Sequence, residues 1–164
     1  MQNAKDTFYT TLRDRLAAVN PARTMVVRGA TRPGVLVEEN ELASDVVPVE
    51  VFRLQWMGLK VDANGALPLA TMSCEIRYAT DGSSGNGGMD RGRRLAGMDA
   101  ELIAALNETP RSVVKMNYSV SPAVSFGTNV FWGDVIFEAD VVTGERLERV
   151  AAVEVFCYRE AGEL

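Results

Sequence analysis

Histidine is absent from all 164 residues, and cysteine occurs only twice. Without an imidazole the chain lacks the side chain that ordinarily titrates near neutral pH, every Ser-His or Cys-His nucleophile pair, and most zinc ligand sets. No catalytic residue, cofactor site or metal site is therefore expected. Cys74 and Cys157 fall on apolar-facing positions of predicted strands, which reads as two buried free thiols rather than a disulfide or metal site. No apolar run approaches the roughly 20 residues that cross a bilayer, and none follows a basic start at the N-terminus. A membrane partner is not expected, and assembly in the cytoplasm is. The net charge of -5 lacks the Lys and Arg excess by which nucleic-acid binders displace counterions, so no sequence-specific nucleic-acid partner is expected either. There is no internal repeat and no composition shift sharp enough to divide the chain, which predicts one domain over 1–164.

What is present is the patterning of an ordinary packed core: 47% of residues are apolar, enough to fold without disulfides or metal. Asp90 to Asn107 places Leu95, Met98, Leu102, Ile103 and Leu106 at three- and four-residue steps, the stripe of a long helix lying on a sheet. An earlier helix, opened by Asn3 or Asp6 and ended by Asn20 and Pro21, carries Phe8, Leu12, Leu16 and Val19 on one face. Thr24 to Arg28 and Val35 to Glu38 predict a hairpin turned by Gly29, Pro33 and Gly34. Val49 to Leu59 predicts a strand with Phe52, Leu54 and Trp56 on its apolar face. Leu69 to Tyr78 alternates strictly, with Ala70, Met72, Cys74, Ile76 and Tyr78 opposite Thr71, Ser73, Glu75 and Arg77. Ser119 to Thr128 reads as a loop, and Val130 to Ala139 with Leu147 to Tyr158 as a C-terminal hairpin turned at Thr143 and Gly144. The order predicts an α+β fold: an antiparallel or mixed β-sheet with two main helices on one face and a C-terminal β-hairpin.

Two places invite a chemical reading. Gly85 to Asp90 comes close to the dinucleotide pattern G-x-G-x-x-G before a helix, but Asp90 stands where Gly or Ala is needed, and its carboxylate repels a pyrophosphate. No Gly-Lys-Ser/Thr follows, so the phosphate-loop pattern fails as well. Glu75 and Asp134, both in predicted strands, are the carboxylates to inspect for a shared cleft. Trp56 and Trp132 with Phe131, Phe137 and Phe156 read as packing.

Charge is distributed unevenly. Met1 to Val37 carries six basic and two acidic residues, while Glu38 to Asp62 carries two basic and six acidic. Such alternation suits self-association through complementary faces. Arg91, Arg93 and Arg94 stand in or beside the first turn of the second helix, where the macrodipole disfavours cations. A local conflict of this kind marks a place where something else is gained. These arginines are expected at a subunit interface facing Glu38, Glu39 and Glu41 of a neighbour.

The succession of an N-terminal amphipathic helix (Ala4 to Val19), a central strand (Leu69 to Tyr78), a Gly-rich loop feeding a second helix (Asp90 to Asn107) and a C-terminal hairpin (Val130 to Tyr158) resembles the tail terminator and tail-completion proteins of long-tailed phages and related contractile particles. The resemblance is one of architecture and covers most of the chain. It implies a non-enzymatic virion protein, monomeric or weakly associated when free, that forms a ring, usually a hexamer, on the end of the tail tube. Its partners would be further copies of itself, the tail tube protein and a neck or head-tail connector protein. The alternatives are a small ligand-binding or enzymatic α+β domain with a pocket between sheet and helix, and a tail tube or baseplate subunit.

Overall fold

The structure is a computed structural model that describes residues 1–27, 29–37, 48–62, 64 and 68–159. Helix α1 (Gln2–Val19) buries Ala4, Phe8, Leu12 and Leu16, one side chain per turn along a single stripe. It stops where Asn20 donates its N–H to Leu16 O at 2.9 Å and its side-chain carbonyl accepts from Ala22 N at 3.2 Å. Strands β1 (Thr24–Val27) and β2 (Ala30–Pro33) form a small antiparallel hairpin. The expected partner of Thr24 to Arg28 is thereby corrected: Gly29, at φ +81°, makes the turn immediately, so the chain has already returned before Pro33 and Gly34. Strand β3 (Val35–Val37) instead lies parallel to β4 (Phe52–Asp62).

The main sheet runs β3-β4-β5-β10-β7-β6, with β5 Leu69–Asp81, β6 Ser112–Asn117, β7 Val124–Trp132 and β10 Arg146–Tyr158. Short strands β8 (Ile136–Phe137) and β9 (Val141–Thr143) continue the β7 side of β10, so that β10 has β5 on one flank and three successive segments on the other. All pairings in this sheet are antiparallel except β3 with β4. The fold is α+β, a mixed sheet with the C-terminal hairpin β9–β10 turned at Gly144, φ +62°. The region expected as a loop at Ser119 to Thr128 contains the first half of β7. Gly127, at φ +82°, and the small polar residues around it imitate a turn, while the chain pairs with β6 on either side of a register shift there.

Helix α2 (Met89–Asn107) packs on the same face of the sheet as α1. Leu95, Met98, Leu102, Ala105 and Leu106 are buried, whereas Ile103, expected on this stripe, is 40% exposed. Beneath the helices lie Phe52, Leu54 and Trp56 of β4, the predicted inward row of β5 from Ala70 to Tyr78, and Ala151, Val153, Val155 and Cys157 of β10, all buried. Phe8 joins the layers by edge contacts to Trp56 at 6.0 Å and Trp132 at 5.6 Å between ring centroids. Neither cysteine is in a disulfide and both are buried, and burial, with a smaller contribution from Glu75, pushes the Cys74 thiol up to about 12.

Candidate functional site

With both described helices on one face, the other face of the sheet carries no helix among the described residues, and a concavity of about 400 Å³ opens there. Its walls come from four separate stretches of chain. A bulge between Trp56 and Gly58 releases Met57 from the ladder, leaving it 50% exposed at one rim. The outward row of β5 contributes Ser73 and Glu75, that of β10 Ala152 and Glu154, the link between β7 and β8 brings Gly133 and Asp134, and β8 brings the 68%-exposed Ile136. Gly133 donates its N–H to Glu154 O at 3.0 Å, which fixes this link against β10. Phe131, expected as packing, lies 40% exposed beside it, cross-strand from Phe156.

Glu75 and Asp134 therefore do share a cleft, although Asp134 lies in the link and not in a strand. Neither carboxylate is bare. Glu75 accepts from Arg77 Nη2 at 2.7 Å, and Asp134 is paired with Arg111, which also donates to Asn107 Oδ1 at 2.8 Å. Glu154 is different: among the described residues, its carboxylate has no hydrogen-bond or ion-pair partner. The surface thus combines apolar side chains with one uncompensated negative charge.

The Gly-rich loop between β5 and α2 has a structural explanation. A Cβ on Gly82 would lie 2.8 Å from Gly88 Cα, and Gly87 and Gly88 have φ of +58° and +79°. The loop folds back so that Ser83 N–H reaches both oxygens of Asp90 at 3.1 Å. These hydrogen bonds, with Arg94 nearby, hold the Asp90 carboxyl below its ordinary range. The helix start is thus occupied by the chain's own carboxylate, where a phosphate would otherwise bind.

The three arginines separate in role. Arg91 Nη1 donates to Glu145 O at 3.1 Å, tying α2 to the β9–β10 turn. Arg94 pairs with Glu50 at 3.2 Å and Asp90 at 3.5 Å. Arg93 is exposed and, among the described residues, has no hydrogen bond or ion pair. Glu38, Glu39 and Glu41, expected opposite these arginines, lie outside the described residues.

Periodicity gave no hint of two polar clusters between the layers. Tyr78 donates its hydroxyl to Asp99, whose other oxygen is 3.4 Å from Arg149 Nη2. Burial, followed by this bond to a carboxylate, raises the Tyr78 pKa. Arg23 reaches Glu101 at 2.6 and 2.9 Å and Glu50 O at 2.7 Å, and Asn20 Nδ2 donates to the same Glu101 at 2.8 Å. Both clusters use charged residues placed off the apolar stripes. The remaining sheet–α2 interface is filled by apolar side chains, so the described concavity lies on the far face and not between sheet and helix.

No family model matches the chain, and no curated protein matches it. One similar solved structure, whose name states no activity, covers 99% of this chain and 99% of its own at 15% identity, with a TM-score of 0.46.

Proposed function

We propose that this chain is a non-enzymatic structural subunit of a phage or phage-like tail, a terminator or connector that assembles into a ring, a hexamer, capping the tail tube. The observation that carries the reading is the sheet face that no described helix covers, where Met57 and Ile136, 50% and 68% exposed, line a concavity and Phe131, cross-strand from Phe156, is 40% exposed. Clustered apolar side chains with a polar rim are what protein contact surfaces present. Under this reading the protein acts by contact, with further copies of itself, the tail tube protein and a neck or head protein as partners. Its place is the virion tail, put together in the host cytoplasm. The basic start of α2 belongs to the subunit contact, with Glu38, Glu39 and Glu41 among its candidate counterparts.

The test is solution mass by light scattering after size exclusion, over a range of concentrations, with and without polymerised tail tubes. Conversion to a discrete ring, or capping of tubes, is the expected result. A monomer at every concentration that ignores tubes overturns the proposal, and growth without limit identifies a tube subunit instead.

A second reading, binding of a small organic cation, is favoured by the same concavity, where the carboxylate of Glu154 stands among apolar side chains that include Met57 and Ile136. It predicts a rise in melting temperature with amine ligands at unchanged mass.

A further inference from the structure

We infer that copies of this chain meet head to tail, with the first turn of α2 of one copy seated in the outer-face concavity of the next. The inference rests on the ring reading above and names the surfaces that make the ring.

Geometry dictates the head-to-tail sense. Helix α2 turns Leu95, Met98 and Leu102 into the sheet, so its exposed side looks away from the sheet, whereas the concavity opens on the other face. The two surfaces of one chain therefore point apart. A contact between them joins unlike patches, and repeated unlike contacts close into rings or extend into filaments.

Charge dictates the pairing. Around the concavity, Arg77 and Arg111 balance Glu75 and Asp134, which leaves the carboxylate of Glu154 uncompensated among the described residues. Among the α2 arginines, Arg91 and Arg94 are engaged within the chain and Arg93 is the guanidinium left over. It sits close to a helix N-terminus, where a cation is disfavoured unless an external carboxylate meets it. One unmatched charge of each sign, on opposite faces, is the complement that a heterologous contact requires.

Shape agrees with charge. Met89, 73% exposed, precedes Arg93 by four residues and so projects from the same side of α2. An unbranched thioether adapts to an irregular apolar hollow, and Met57, Ala152 and Ile136 are among the residues that line it. Met89 fills the hollow while Arg93 meets Glu154 at the rim.

The experiment uses the full chain and light scattering across concentrations. Arg93→Glu and Glu154→Arg are each expected to raise the concentration for half-assembly by at least about tenfold, and the double variant Arg93→Glu/Glu154→Arg to restore it. Met89→Asp is expected to block assembly. Unchanged melting temperatures of the single variants, both at exposed positions, exclude misfolding. If the unmodified chain forms rings and neither single reversal affects them, the seating is wrong while the ring stands. The same holds if only reversal of Glu38, Glu39 and Glu41 stops assembly. If the unmodified chain remains a monomer even with tubes, the ring reading falls and this inference with it.

Discussion

Arg23 illustrates how much structure one side chain fixes. Its guanidinium joins the start of β1 to the Glu50 carbonyl before β4 and to Glu101 in the middle of α2, 5.5 Å from the Phe52 ring, and Asn20 at the end of α1 donates to the same Glu101. Hydrogen bonds to charged groups contribute about 1.5–3 kcal/mol each when one partner is removed, so Arg23→Met is expected to lower stability by about 2–3 kcal/mol in urea unfolding. Burial pushes the Glu101 carboxyl up, but the bonds from Arg23 and Asn20 and the guanidinium charge outweigh it, and the folded pKa lies below the ordinary glutamate value. The sign follows: this contribution is complete above about pH 4.3 and is lost as pH falls through the folded value. Melting temperature should therefore fall more steeply between about pH 5 and about pH 3 in the natural sequence than in Glu101→Gln. Equal slopes would remove Glu101 from the account. Arg15 plays a parallel part at the other end of α2, donating to Ala105 O, Glu108 O and Pro110 O at 3.2, 2.8 and 2.9 Å above the Trp132 ring. It satisfies carbonyls that the helix leaves open.

Among the elements, the Gly-rich loop gives the sharpest contrast. Gly82→Ala forces a Cβ against Gly88 Cα at 2.8 Å, and backbone has no rotamer by which to yield. A loss of about 1–3 kcal/mol is expected, whereas Gly85→Ala, with nothing within 4 Å, should leave the melting temperature nearly unchanged. Similar losses at both positions would refute the close-approach explanation. The same element shows what a sequence can and cannot convey. Strand β5 was legible because alternation from Ala70 to Tyr78 is enforced by a covered face and an uncovered one. Helix α2 was legible from its stripe, apart from Ile103. Strand β7 was not, because Ser125, Gly127, Thr128 and Asn129 have turn chemistry, yet Ser125 and Asn129 pair with β6 on either side of an irregularity at Gly127. The shared cleft of Glu75 and Asp134 was nameable as a pair to inspect. Its actual walls were not, since residues near 57, 75, 134 and 153 become neighbours only through the strand order. Arg93 could be suspected from its place near a helix start, but its separation from Arg91 and Arg94 required knowing that Glu145 and Glu50 come within reach.

For the whole molecule, a contact built on two exposed charges carries a signature. Charges at a surface are screened over about 10 Å at 0.1 M salt and about 3 Å at 1 M, so assembly through Arg93 and Glu154 should weaken as salt is raised. Assembly that strengthens with salt would point to an interface dominated by Met57, Phe131 and Ile136. The topology also has a bearing on how the molecule comes into being. Strand β10 pairs along its full length with β5 and carries β7, β8 and β9 on its other side, so the centre of the sheet is supplied by Arg146–Tyr158. On the ribosome, α1, β4 and β5 emerge long before that strand. At roughly 5–20 residues per second, the nascent chain spends several seconds with Phe8, Phe52 and Ile76 lacking their final cover. Until the central strand clears the exit tunnel, that apolar surface waits for the strand that completes the sheet.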